Sequence, residues 1–357
     1  MQRTMRQRFE DINYLDLLLW VFRVGIIVAV IWGTVATVTH NRYSTEQWLN
    51  FVTFGLAQGG LYALIALGYT MIYGVLLMIN FAHGEFFMSG IFTATVFIAI
   101  PFSESGFTDR HPIWALLLIT IVAMSVSTGI AVLTERVAYR PLRKAPRLVP
   151  LITAIGASFF WQYFFRGLYG SGVTAFPEVA LLKGTWSILG LDITRVQGVV
   201  ILTSLLMMTG LYIFVMRTKT GKALRAVSED KDVAALMGID VDRVIVITFA
   251  IGAAMAGVAG VLYAMMYRQI HFFMGFFPGL KAFTAAVLGG IGSVPGAAIG
   301  GLLLGMFESV GPNLFLEGLG IAAPYQLKDV IAFTMLVLVL MFLPQGIMGE
   351  PLAEEKA

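Results

Sequence analysis

The run Met78-Ile79-Asn80-Phe81-Ala82-His83-Gly84-Glu85 sets an amide, an imidazole and a carboxylate beside a glycine, between two long apolar stretches. It holds no Lys or Arg, so it makes a poor cytoplasmic loop and is expected at membrane depth. A charged side chain at the bilayer centre costs roughly 2.5–3.5 kcal/mol on insertion scales, and such groups persist where they line a cavity or find partners. Two compatible readings follow. In one, a broken helix offers its freed backbone and polar groups to a substrate path. In the other, a polar turn locks two helices by hydrogen bonds. A proton relay through His83 and Glu85 is a third reading. A metal site has only one His and one Glu to draw on here, two residues apart.

A second interruption lies at Gly289-Gly290-Ile291-Gly292-Ser293, followed by Val294-Pro295-Gly296. Several glycines in a row weaken a helix, and the unwound backbone can present N–H and C=O groups to a ligand. Gly292, Gly296 and Gly300 recur every four residues, and Gly301 and Gly305 repeat that spacing. Small residues so placed let helix backbones approach closely, as do Gly252, Ala256 and Gly260. The two interruptions fall in the two halves of the chain, as expected around a midplane site, although no residue-by-residue internal repeat accompanies them.

A third element is the segment Thr218–Arg243, which joins two apolar stretches and carries both charge signs. Ser228 is expected to cap a short helix with acidic residues in its first turn, and Gly238 to end it. Val233, Ala234, Leu236 and Met237 would give that helix an apolar face fit for a soluble partner; the plainer reading is a solvated connector. No Gly-x-x-x-x-Gly-Lys-Ser/Thr phosphate loop occurs anywhere, so any ATP that drives this protein is bound by another chain.

These segments need a scaffold, and composition says which. Of the 357 residues, 58% are hydrophobic and only 13% charged, with a mean hydropathy of +0.83. That is too little charge to cover a soluble domain of this size. A helix crosses the hydrocarbon with roughly 20 apolar residues, and such runs lie near Val21–Val38, Phe51–Tyr73, Phe86–Ile100, Ile113–Leu133, Leu148–Phe165, Gln197–Met216, Val244–Tyr267 and Lys328–Leu343. The expected fold is all-α: a polytopic helical membrane protein of about eight transmembrane helices plus a re-entrant or broken glycine-rich segment over Phe283–Phe307. Two connecting loops are basic, one with Arg136, Arg140, Arg143, Lys144 and Arg147, the other with Arg217, Lys219, Lys222, Arg225, Lys231 and Arg243. The positive-inside rule puts both in the cytoplasm. Alternation then puts both termini there too, in agreement with Arg3, Arg6 and Arg8. The first apolar run is long for a signal peptide and no small-x-small cleavage site follows it, so it reads as a retained anchor. The absence of cysteine excludes disulfides, thiolate metal sites and a cysteine nucleophile. The net charge of +3 gives no reason to expect nucleic acid.

Four stretches carry a family resemblance: Tyr62–Gly90, Glu135–Arg143, Leu224–Val261 and Lys281–Glu308. In this order they are similar to the branched-chain amino-acid (leucine/isoleucine/valine) ABC transporter permeases, over roughly Phe51 to Gly349. The resemblance implies a non-enzymatic, cofactor-free inner-membrane (plasma-membrane) subunit. Its implied partners are a second homologous permease, two ATP-binding subunits and a periplasmic substrate-binding protein. It implies that Glu229–Ile239 is the segment inserted into a cleft of the ATPase, with Glu229, Asp230, Ala234, Gly238 and Ile239 in or beside that contact. Asn80, His83, Gly84 and Glu85 match the family's Asn-Phe-Ala-His-Gly-Glu motif. With Gly289, Gly290, Gly292 and Ser293 they are the candidates for the substrate path. The domain reading is an N-terminal extension over 1–45 with an added span, a permease domain over 46–349 and a cytoplasmic tail over 350–357. The outer loop Gly167–Thr194 is a candidate docking surface for the binding protein. Two alternatives stand beside amino-acid import: urea or a short amide within the same family, and an ion-coupled secondary transporter that uses His83 and Glu85.

Overall fold

A computed structural model describes residues 14–143, 145–146, 148–188, 191–322 and 324–349; the expected cytoplasmic tail and the N-terminal arginines lie outside them. Among the described residues, nine helices are long and apolar enough to cross a membrane. In chain order the helices are α1 (Tyr14–Thr39), α2 (Thr45–Leu76), α3 (His83–Ala94, prolonged to Glu104), α4 (Pro112–Thr134), α5 (Leu148–Tyr169), α6 (Arg195–Arg217), α7 (Lys219–Glu229), α8 (Lys231–Leu236), α9 (Val241–Tyr267), α10 (Phe276–Gly289), α11 (Val294–Gly311) and α12 (Lys328–Phe342). The chain is a polytopic helical membrane protein. The eight apolar runs of the sequence all become spans, and α11 supplies the ninth.

Local sequence explains most boundaries. Ser44 and Gln47 form a capping box at the start of α2, with Gln47 N donating to Ser44 Oγ at 3.3 Å and Ser44 N donating to Gln47 Oε1 at 2.8 Å. Thr194, Thr218, Asp240 and Ser293 each accept from the backbone N–H three residues on, opening α6, α7, α9 and α11. Single wide π-turns at Thr95–Ala99 and Glu135–Tyr139 precede Pro101 and Pro141. A proline ring clashes with the carbonyl four residues back, and a widened turn relieves that clash without ending the helix.

The centre of the bundle is α2 and α9, whose apolar windows are 72% buried, against 11% for α1 and α12 at the periphery. Glycine makes the central crossings close. Gly68 lies against Gly252, where an added Cβ would stand 2.9 Å from the Gly252 carbonyl oxygen; at Gly59 one would stand 2.8 Å from Leu302 Cα. Gly301 and Gly305 pack directly on Ala63 and Gly59 of α2, while Gly296 and Gly300 pack on α10. The four-residue glycine repeat therefore serves two helix contacts from adjacent faces of α11. Van der Waals contact between backbones replaces the hydrophobic drive that lipid cannot supply.

The glycine-rich stretch departs in detail from a shallow re-entrant loop. It does return toward the side it came from, but as a full helical hairpin: α10 descends, Gly290 and Gly292 turn the chain with φ of 104° and 99°, and α11 climbs back. The turn lies beside Met348 and Gly349, beyond the end of α12. The interruption is thus at the end of the bundle that carries the basic loops, not half-way through it.

Candidate functional site

Leu77 ends α2 in a left-handed conformation (φ 55°), and the chain then folds back into the bundle. Asn80 fixes the return: its Oδ1 accepts from Ala82 N at 3.1 Å and from Tyr139 Oη at 2.6 Å. The His83 ring lies against Gly68 and faces Tyr69 at 4.8 Å between centroids. Gly68 is nine residues before Leu77, so α3 starts about 14 Å inside the bundle at 1.5 Å per residue. Its opening turn meets the opening turn of α10: a Cβ on Gly84 would run into the Gly275 carbonyl and stand 3.1 Å from Gly279 Cα. Two helices thus begin at one level in the interior and leave in opposite directions. Glu85, fully buried, lies there with Oε1 accepting from Gln162 Nε2 at 2.7 Å and Ser158 Oγ at 3.1 Å, both on α5. Both His83 ring nitrogens and Glu85 Oε2 are buried without a hydrogen-bond partner among the described residues.

The two groups of substrate-path candidates are not brought together. Asn80, His83, Gly84 and Glu85 are packed at the interior crossing, whereas Gly289, Gly290, Gly292 and Ser293 belong to the hairpin turn. Gly292 and Ser293 line a cavity of about 580 Å³ whose opposite wall is formed by Arg225, Ser228 and Glu229 of α7. The glycine turn therefore faces the connector between α6 and α9.

In that connector the cap differs from expectation. Ser228 lies in the last turn of α7 and donates to Arg225 O at 2.8 Å. Asp230 caps α8 instead, its Oδ1 accepting from Asp232 N at 2.8 Å and Val233 N at 2.9 Å. Because α7 runs on through Ser228 to Glu229, the next capping residue, Asp230, takes the helix start, where a carboxylate also suits the helix dipole. Gly238 ends the helix with φ 82°, and Ile239 N donates to Ala234 O at 3.1 Å. Ala234 is buried, while Val233, Leu236 and Met237 are 53%, 86% and 78% exposed. Nearby, Arg143 pairs with Glu135 and Asp242, and Arg140 reaches Asp242 at 2.5 Å, which ties the other basic loop to the start of α9. Burial, then the neighbouring Arg143, pulls the Lys231 ammonium below the usual lysine range.

At the other end, Thr174–Ala175 pairs antiparallel with Gln269–Ile270, and Thr185–Ile188 with Leu191–Thr194. Glu178 holds Lys183 and Arg268, each at 3.1 Å, so the loop after α5 is fastened to the segment between α9 and α10. The Lys183 hydrogen bond draws the Glu178 carboxyl below the usual carboxylate range.

One constellation escaped the sequence reading. Lys281 of α10 stands between Glu308 of α11 (2.9 Å) and Asp329 of α12 (2.7 Å). Tyr62 Oη donates to Glu308 Oε2 at 2.8 Å, and the Gln58 amide donates to the same oxygen and to Tyr62 Oη. Five side chains from four helices share this network, all but Asp329 buried. The available signal was the lone lysine and lone glutamate inside otherwise apolar runs.

Comparison with known proteins bears on the whole arrangement. The family signature described as "Branched-chain amino acid transport system / permease component" matches residues 51–340. The chain belongs to this family. It is 43% identical over 320 residues to the Escherichia coli high-affinity branched-chain amino acid transport system permease protein LivH, covering 87% of this chain and 99% of that one. It is 44% identical over 312 residues to the Pseudomonas aeruginosa permease protein BraD of the same description, covering 87% and 98%. A probable branched-chain amino acid transport permease LivH from Methanocaldococcus jannaschii is 27% identical over 295 residues, covering 81% and 89%. The members are transport permeases, and the multi-pass bundle of this chain fits that role.

Proposed function

We propose that this chain is one of two permease subunits of a bacterial inner-membrane ABC importer for branched-chain amino acids, driven by ATP hydrolysed on two partner subunits. The observation that carries the reading, beyond the family itself, is the exposed apolar helix α8 set on a connector that shares a cavity with the glycine turn. Leu236 and Met237 are largely exposed and suit a groove on a soluble ATPase. Glu229, Asp230, Ala234, Gly238 and Ile239 shape and flank that contact, Ala234 from beneath.

The geometry supplies a route for coupling. Closure of the ATPases would press α7–α8 toward the turn at Gly289–Ser293 across the intervening cavity. The turn is the lower end of α10, and the upper end of α10 rests on Gly84 at the interior crossing. A shift of α10 as a rigid rod would therefore alter the packing around His83 and Glu85. In this scheme a periplasmic binding protein delivers the amino acid to the end that carries the strand-paired loop Gly167–Thr194. The basic loops face the cytoplasm, and the substrate passes between this chain and its homologous partner. The chain performs no covalent chemistry and binds no nucleic acid.

The test is radiolabelled leucine uptake in cells lacking this gene, with and without the restored chain, competed by excess isoleucine, valine or urea. Restored uptake suppressed by the branched amino acids and not by urea is the expected result. Unchanged leucine uptake on loss of the chain, in a strain with no redundant importer, would overturn the substrate assignment.

A further inference from the structure

We infer that Lys281, Glu308 and Asp329, with Gln58, form an intramembrane site that accepts one additional cationic group, and that this group is the α-ammonium of the amino acid in transit. The inference rests on the transport reading above and assigns that reading a place in the bundle.

Charge balance is the first argument. One ammonium serves two carboxylates, and among the described residues no other cation lies within ion-pair distance of Glu308 or Asp329. A network built only to pin α12 to α10 and α11 would be satisfied by one carboxylate per lysine. Asp329 can therefore give up Lys281 and take another ammonium in its place, and a zwitterion, which adds no net charge, exchanges the one Lys281–Asp329 pair for two ion pairs.

The hydrogen-bond inventory points the same way. The Gln58 amide nitrogen is used twice, by Tyr62 Oη and Glu308 Oε2, while Gln58 Oε1 is buried and has no donor. Gln58 itself is only 1% exposed. The site therefore lacks N–H donors, and a primary ammonium carries three.

Depth and access complete the case. Lys281 is eight residues above Gly289, about 12 Å at 1.5 Å per residue, and Glu308 is fourteen above Val294, about 21 Å. Asp329 is fourteen residues from Leu343, again about 21 Å. The cluster thus lies in the half of the bundle away from the glycine turn, with Glu308 in the last turn of α11 and Asp329 in the first turn of α12. The Lys281 and Glu308 side chains are 10% and 0% exposed, but that of Asp329 is 48% exposed. At that end of the bundle the half-open Asp329 carboxylate is the member of the cluster that a solute arriving from the side of loop Gly167–Thr194 meets first. A zwitterion arriving there would place its ammonium on Asp329 and the vacant Gln58 oxygen. Lys281, released from Asp329, would meet the substrate carboxylate.

The experiment uses the full complex in lipid nanodiscs, both nucleotide-free and vanadate-arrested. This chain has no cysteine, so Tyr325→Cys, four residues before Asp329, gives its only thiol. Labelling by a trimethylammonium methanethiosulfonate is followed by mass spectrometry of this chain. Leucine, and leucinol, which has the ammonium without the carboxylate, are expected to slow labelling by about fivefold or more in at least one state. 4-Methylpentanoate, which lacks the ammonium, should not. Asp329→Asn added to Tyr325→Cys should abolish leucinol protection; Gln58→Met replaces it, with the same expectation, if that variant does not assemble. No protection by leucine or leucinol in either state would overturn the site. So would equal protection by 4-methylpentanoate, or by sodium chloride measured against choline chloride. Leucine uptake by the unmodified complex is measured alongside. Uptake without protection discards this site alone, whereas absence of uptake counts against the transport reading.

Discussion

Truncating the exposed tip of α8 should weaken ATPase binding without disturbing the permease. Leu236 and Met237 are 86% and 78% exposed, so their side chains contribute little to this chain's own packing. Replacing each by alanine removes roughly three carbon-sized groups, each worth about 0.8 kcal/mol when buried, which bounds the loss near 2.4 kcal/mol per residue. An interface covers such side chains only in part, so about 1–2 kcal/mol each is the working figure. The double variant Leu236→Ala/Met237→Ala should then bind the ATPases between about 30-fold and 1000-fold more weakly. The assay is titration of purified ATPase onto the assembled permease pair in nanodiscs, with leucine uptake measured in parallel. Val330→Ala on α12, where Val330 is 56% exposed and remote in sequence from α8, is the matched control and should leave binding unchanged. The melting temperature of the permease pair should be the same in all three proteins. If the double variant binds its ATPases as tightly as the control, the assignment of α8 as the contact fails.

Gly238→Val should impair coupling through the backbone, because an added Cβ would find open space while φ 82° is unfavourable for a branched residue. Gly238→Asn, which tolerates that conformation, should retain more uptake than Gly238→Val, and equal loss in both would refute the backbone argument. Gly84→Ala should lower the yield and melting temperature of the assembled complex by driving a methyl into the Gly275 carbonyl, an overpacking cost of about 1–3 kcal/mol. Gly74→Ala, whose new Cβ would stand 3.8 Å from Ser228 Cβ, should be neutral in the same measurement.

How far the sequence discloses this structure depends on the range of the interaction. Apolar runs, caps and breaks are local, and they predict the helices well: Thr194 and Asp240 cap where a hydrogen-bonding side chain precedes an apolar stretch, and Gly238 terminates α8 as its type requires. The cap of α8 is the instructive miss. Ser228 and Asp230 are both adequate N-cap residues, and α7 runs on far enough to absorb Ser228 into its own last turn. A window that considers one helix at a time cannot decide between them. The glycine break was legible as a break, but its depth was not. Depth is set by where α10 begins, and that is fixed by a three-glycine contact with Gly84, nearly two hundred positions earlier in the chain.

The charged network marks the limit of local reading most clearly. Gln58 and Glu308 are separated by 250 positions, and Lys281 and Asp329 by 48. Gln58, Lys281 and Glu308 stand in apolar or glycine-rich runs, Asp329 follows Lys328 at the head of α12, and no spacing rule pairs them. The energetic rule does: a lysine and a glutamate retained inside spans must be repaid by partners or by a passage. Applied to every charged residue in an apolar run, that rule selects Lys281 and Glu308 before any coordinates. It also separates two kinds of interior polarity. Glu85 is enclosed by α5 and the α10 start, at a crossing where glycines bring the backbones into contact. Asp329 is half open and, among the described residues, shares its one cation with another carboxylate. Enclosure favours a structural lock at Asn80–Glu85 whose packing α10 can shift, and openness favours a contact with the transported molecule at Asp329. On the inference drawn above, the Asn80–Glu85 motif sets where α10 begins, and the charges on α10, α11 and α12 are the groups proposed to meet the substrate.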